Sequence, residues 1–335
     1  MDVAVRGIHP RVLTVCIVFI AISGLFLAHV EAQTKVFRVG HLSGAGRPPD
    51  GGPPAPLREA MRALGYIEGK NVVYEARFAE GRGERLPALV AELLRLKVDV
   101  IVAQGGPSAL AAKQATSTIP IVTAPAAGDN VAVGLIASLA RPGGNVTGLT
   151  DELVQLSAKR VEIIKEAVPK AALMAVVWNS NDQGMTLRYR EIERAARVLN
   201  IEVQAFGVRE PEDFPGAFEA MARRRPDVMF LVADGLTTTN RKRLIEFAAT
   251  HRIPAMYEFN FIVRDGGLMS YGPSFEDSFR QAAGYLDRIF KGAKPADLPA
   301  EQPMRYYLTI NLKTAEALGF VIPPALLLRA DQVIE

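Results

Sequence analysis

The stretch VDVIVAQGGPSALAAKQATSTIPIVTA, residues 98–124, carries the clearest signal of fold class. VDVIVAQ is close to a continuous apolar run, the pattern of a strand buried on both faces within a parallel sheet. A Gly-Gly-Pro-Ser turn follows it, then SALAAKQAT with helical character, then IPIVTA as a second strand. Strand, turn, helix and strand in that order make one α/β unit. The same alternation continues on both sides. FRVGHLS (37–43) and NVVYEARFA (71–79) are strands, and PLREAMRALGY and RLPALVAELLRLK are helices. Leu57, Met61 and Leu64 share one face of the first helix at helical spacing. GLIASLARPGGN (134–145) predicts a short helix ended by Pro142 and the Gly143-Gly144 turn.

A second series begins after Thr150. Helices are expected at 153–168, 186–199, 214–225 and 240–251, with strands ALMAVVWN, IEVQAFGV, DVMFLVAD and IPAMYE between them. Two successive α/β units of comparable size follow from this. The tail then adds GLMSYG, a long helix over 275–290, the strand RYYLTIN and a helical piece near 314–318. Elements left over after two complete units imply that the chain crosses back between lobes, and several crossovers would make a hinge. RPPDGGPPAP (47–56) is a stiff surface loop.

The chain has 335 residues, 49% of them hydrophobic and 22% charged, which suits about two globular domains rather than a disordered or collagenous chain. Its 39 basic and 36 acidic residues are interspersed, so no basic block argues for nucleic acid. The one cysteine excludes a disulfide framework and a cysteine-based metal cluster. That Cys16 lies in an apolar run over 12–28, preceded by Arg6 and Arg11 and followed by the small residues Val30 and Ala32. Together they predict a secretory leader over 1–32, cut before Gln33, in preference to an uncleaved membrane anchor. The mature chain would be cysteine-free and soluble.

Enzyme motifs fail one by one. GPSAL (106–110) ends in Leu110 where a nucleophile elbow needs glycine. GYIEGKN (65–71) is a residue short of a phosphate-binding loop and has no Ser or Thr after Lys70, so Gly65 is a helix C-cap followed by a turn. His41 and His251 are too few for a zinc site, and His41 on a strand is a packed histidine rather than a base. Arg223, Arg224 and Arg225 close a helix where positive charge complements the dipole.

Polar residues at strand ends remain. Ligands of open α/β sheets bind outside those ends. The candidates are Ser43; Gly105, Gly106 and Ser108; Asp129; Asn179; Asp234; and Tyr257 with Glu258. The Gly-Gly-Pro-Ser turn opens a helix whose free N–H groups and Ser108 hydroxyl would cradle a carboxylate. Asp129, Asp234 and Glu258 would pair with an ammonium, and Tyr257, Phe259 and Tyr271 would offer flat apolar surface. Each of the Asp and Ser residues is equally readable as a helix cap. No catalytic residue, metal or cofactor is expected.

At this point RVGHLS, the run LREAMRALGYIEGKNVVYEARFAEGRGERLPALVAELLRLKVDVIVAQGG, AAKQATSTIPIV, LARPGGNVTGLT, GGLMSYG and the C-terminal KGAKPADLPAEQPMRYYLTINLKTAEALGFVIPPALLLRADQVIE become informative together. They resemble the bacterial ABC transporter substrate-binding family that includes tryptophan- and tyrosine-binding members. The resemblance implies a type I periplasmic binding protein fold, with two Rossmann-like lobes, a cleft and three hinge crossovers. Lobe one would hold 33–150 plus about 271–303, and lobe two 151–270 plus about 304–335. It further implies a periplasmic monomer that binds a small carboxylate-bearing solute and works with a permease and ATPase subunits. The family's cleft positions map onto Ser43, Gly105, Gly106, Ser108, Asp129, Asn179, Asp234, Glu258 and Tyr271. A periplasmic sensor using the same cleft is the alternative, ahead of an enzyme on this scaffold.

Overall fold

Two sheets carry the chain in the computed structural model, which describes residues 35–125, 128–150, 153–303 and 305–335. The leader expected over 1–32, with its exit before Gln33, lies outside the described residues. Phe37–Glu335 forms one compact unit. The first sheet holds β1 (Phe37–Ser43), β2 (Val72–Phe78), β3 (Val100–Gln104), β4 (Ile121–Thr123) and β5 (Val146–Gly148). All are parallel, in the order β2-β1-β3-β4-β5. The run that opened the reading occupies its centre. Val100 and Val102 point to one face, while Ile101 and Ala103 point to the other, and all four are fully buried. A strand covered on both faces has no polar side to show, which is why its sequence does not alternate. Helices α1 (Ala55–Ala63), α2 (Leu86–Arg95) and α3 (Gly106–Ala115) cover this sheet.

The second sheet holds β6 (Leu173–Asn179), β7 (Glu202–Val208), β8 (Val228–Leu231), β9 (Ala255–Tyr257), β10 (Met269–Pro273), β11 (Tyr306–Asn311) and β12 (Gln332–Ile334). Its order is β7-β6-β8-β9-β10-β11-β12, with only β11 antiparallel to β10. Its first five strands repeat the 2-1-3-4-5 winding of the first sheet. Around it lie α4 (Leu153–Ala167), α5 (Gln183–Val198), α6 (Phe214–Arg224), α7 (Gly235–Thr239), α8 (Arg241–Thr250) and α9 (Asn260–Arg264). Winding of this kind changes direction between β1 and β3, and again between β6 and β8. Each change opens a crevice at the strand ends.

The chain passes between the lobes three times. After β10, α10 (Phe275–Phe290) returns to the first lobe and buries Phe279, Ala282, Ala283 and Leu286 against it at helical spacing. The chain then re-enters the second sheet as β11, followed by α11 (Leu312–Ala317) and α12 (Pro324–Arg329). The first and third passages run side by side, since Glu301 N–H donates to the Gly148 carbonyl and Thr150 N–H to that of Glu301, both at 3.0 Å. One expectation is corrected. Residues 134–145 form turns, not a helix: Leu135 and Ile136 donate back to the Asn130 carbonyl, and Gly134 and Gly143 hold left-handed backbones at φ 73° and 77°.

His41 is the packed histidine the sequence suggests. It sits at the centre of β1, fully buried between Phe78 and Phe279, with ring centroids at 5.6 and 6.2 Å. Among the described residues neither ring nitrogen has a well-aligned hydrogen-bond partner. Burial lowers its pKa from 6.5 to about 4, with the Gln104 side chain acting the other way. The folded imidazole therefore stays neutral where the unfolded one takes a proton. Its contribution is complete above about pH 6.5 and is lost as pH falls toward 4, a change of about 3 kcal/mol. Urea denaturation at pH 7 and pH 4.5 should show His41→Phe losing less stability on acidification than the native chain; equal losses would contradict this.

Candidate functional site

The crevices of both lobes face each other through their strand-end loops. In the first lobe β1 ends at Ser43, whose buried Oγ accepts from Ala45 N–H at 3.1 Å. Beyond β3, Gly105 takes φ 86°, a conformation that suits glycine, and turns the chain directly into α3. Among the described residues no side chain caps that helix, and the Ser108 Oγ in its first turn is buried without a partner. Asp129 is exposed and folds onto its own turn, accepting from Val131 and Ala132 N–H at 3.0 Å. Its neighbour Asn130 is the buried residue: Nδ2 donates to Thr123 Oγ1 and the Leu149 carbonyl, and Oδ1 has no partner among the described residues.

In the second lobe, Asn179 closes β6 and donates from Nδ2 to Asp234 Oδ2 at 2.6 Å. Asp234 is also the N-cap of α7 in a complete capping box with Thr237. Burial pushes its carboxyl upward, against the hydrogen bonds from Thr237 and Asn179. Glu258 is fully buried and receives three donors at 3.0 Å: Arg160 Nη1, Arg188 Nη1 and the Ala233 N–H. Its charge is met inside the lobe, by two guanidiniums. Arg160 also donates from Nε to the Tyr271 carbonyl at 2.5 Å, tying α4 to the strand that precedes the second passage. Tyr257 is buried in the lobe core, and the Tyr271 ring packs against that lobe's other core cluster and lies 6.3 Å from the Tyr306 ring.

A cavity of about 450 Å³ lies between the lobes. Ser43, Gly105 and Asp234 line it. A second, much smaller hollow joins Ser108 and Asn179 to Gly105 and Asp234. Gly106, Asp129, Tyr257, Glu258 and Tyr271 line neither. The larger cavity also has walls that the sequence reading did not single out. Phe261 and Phe275 join Phe259 there, with ring centroids 5.0 to 6.1 Å apart, and Arg47, Arg241 and Lys242 stand around them. Arg241 lies over the Phe261 ring at 5.6 Å and pairs with Asp265 at 2.6 Å.

Asp182, Arg160 and Arg188 were also missed. Asp182 caps α5, accepting through Oδ1 from Gly184 and Met185 N–H. Burial and the nearby Asp234 push its carboxyl up to about 6, opposed by Arg188 and its two backbone donors. Arg188 did leave a signal: it occupies the buried stripe Met185, Arg188, Ile192 and Ala196, where an arginine needs a buried partner. Across the cleft, the lobes touch backbone to backbone. A Cβ built on Gly235 would stand 2.5 Å from the Gly44 carbonyl carbon. Arg82 and Glu212 pair at 2.5 Å at the rim.

Residues 55–334 match the family of ABC transporter substrate binding proteins. The tyrosine-binding protein of Clostridioides difficile (strain R20291) is 27% identical over 260 residues, 78% of this chain and 74% of that one. A conserved domain protein from Vibrio cholerae superposes with a TM-score of 0.81 at 28% identity, over 89% of this chain and all of that one. The ABC domain from Streptococcus pneumonia solved with L-Trp gives 0.80 at 23% identity, over 90% of this chain and all of that one.

Proposed function

The chain belongs to the ABC transporter substrate binding protein family, and from that premise we propose that it is the extracytoplasmic receptor of an ABC importer. It holds a small carboxylate-bearing solute, an aromatic amino acid first among them, between its lobes. It then presents that solute to a membrane permease coupled to ATPase subunits. The observation that carries this reading is the 450 Å³ cavity whose walls come from both lobes. A ligand that touches both lobes binds their closed arrangement better and draws the open form toward it. Phe259, Phe261 and Phe275 supply the flat apolar surface an aromatic ring packs on. Arg47 and Lys242 are exposed at the same cavity, where positive charge raises the arrival rate of an anionic group. The leader expected over 1–32 fits delivery outside the cytoplasm, and the tyrosine-binding relative supports the solute class.

Calorimetry with L-tyrosine, L-tryptophan, L-leucine and D-glucose tests the reading. At least one aromatic amino acid should bind with a dissociation constant of about 1 μM or tighter, equivalent to about 8 kcal/mol. Glucose should give no heat of binding. Sugar binding without amino-acid binding, or no binding by any of the four, would overturn it.

A further inference from the structure

Two groups at the start of α5 are buried, charged and half used. Among the described residues Arg188 spends Nη1 on Glu258, while its Nη2 is buried with no hydrogen-bond partner. Asp182 spends Oδ1 on its helix cap, while its Oδ2 is buried with no partner among the described residues either. Both belong to the first turns of α5, at the C-terminal end of β6. Arg188 Nη2 also faces the other lobe: a Cβ built on Gly128 would lie 3.8 Å from it. The loop that carries Gly128 brings Asn130, whose Oδ1 is buried and unmet as well. A charged donor or acceptor kept from water and left without a partner is costly. Here a cationic donor and an anionic acceptor stand unmet among the described residues at the start of one helix, and the donor faces the loop of the opposite lobe.

Building on the solute-receptor reading, we infer that Arg188 and Asp182 form the head-group subsite for a free α-amino acid. Arg188 Nη2 donates to the carboxylate, and Asp182 Oδ2 accepts from the ammonium. Asn179 and Asp234 connect this subsite to the cavity: the Asp182 N–H donates to the Asn179 carbonyl at 3.2 Å, and Asn179 holds Asp234, which lines the cavity wall. The side chain of the solute then extends toward the phenylalanines. A solute with one charge would satisfy one of the two groups and leave the other buried and unpaired, so the site selects zwitterions over simple aromatic acids or amines.

Calorimetry on the unmodified protein tests this without a variant. L-tryptophan and L-tyrosine are compared with tryptamine and tyramine, which lack the carboxylate, and with indole-3-propionate and 3-(4-hydroxyphenyl)propionate, which lack the ammonium. Each analogue should bind at least about 100-fold more weakly than its parent. Arg188→Lys, which keeps a charge for Glu258 but has no second terminal nitrogen, should weaken the amino acids and leave tryptamine unchanged. Asp182→Asn should weaken the amino acids and leave indole-3-propionate unchanged. Amines or acids binding as tightly as the amino acids, or variants that weaken every compound equally, would overturn the head-group assignment and leave the receptor reading standing. Binding by none of the six would overturn the receptor reading, and the assignment with it.

Discussion

Gly235→Ala should cost at least about 100-fold in amino-acid affinity, or about 3 kcal/mol, and leave the fold intact. The added methyl would stand 2.5 Å from the Gly44 carbonyl carbon and 2.8 Å from its Cα and O. These are backbone atoms of the opposite lobe, and no rotamer change can move them aside. The lobes must separate, and a ligand gains only from contacts it makes in the state that remains accessible. The free protein should not suffer. Position 235 opens α7 outside the left-handed region, and alanine is the better helix former. Calorimetry with L-tyrosine together with thermal unfolding checks both halves. Gly216→Ala in α6, where a Cβ meets nothing within 4 Å, is the control: it should leave affinity unchanged and raise the unfolding temperature slightly. Full affinity in Gly235→Ala would show that binding does not need this contact.

Glu258→Gln should destabilise the protein by about 3 to 5 kcal/mol, the cost of breaking a buried pair from one side. The carboxylate is fully buried and meets two arginines and a backbone N–H, each at 3.0 Å. A glutamine amide presents a donor where one of the guanidiniums also donates, and the remaining positive charge has no counterion there. Urea denaturation at neutral pH measures the effect. Glu191→Gln, which loosens an exposed pair with Arg194, should stay within about 1 kcal/mol. Were Glu258 instead waiting for a solute's ammonium, its removal would spare stability and abolish binding.

The parallel strands were legible because burial on both faces leaves an uninterrupted apolar run, as in residues 98–104. The helices showed through their 3.6-residue stripe. The turns over 134–145 were not: GLIASLA carries helical composition, and only the pull of the Asn130 carbonyl on Leu135 and Ile136 decides against a helix. The strand ends were legible, and Ser43, Gly105, Ser108, Asn179 and Asp234 line the hollows between the lobes. Which acid meets which charge was not. Glu258 is answered by Arg160 and Arg188, 98 and 70 residues away, a pairing that only the packing of α4 and α5 on the second sheet creates. Asp129 and Asn130 are adjacent in the chain, yet one is exposed and the other buried. Phe275 joins the cavity because α10 returns across the hinge, which no local pattern states.

The most direct test of a solute held by both lobes is amide hydrogen exchange with and without saturating L-tyrosine. Protection should rise together at residues 43–46 and 105–109 in the first lobe and at 179–185 and 234–239 in the second. Protection confined to one lobe, or unchanged in both, would contradict the account.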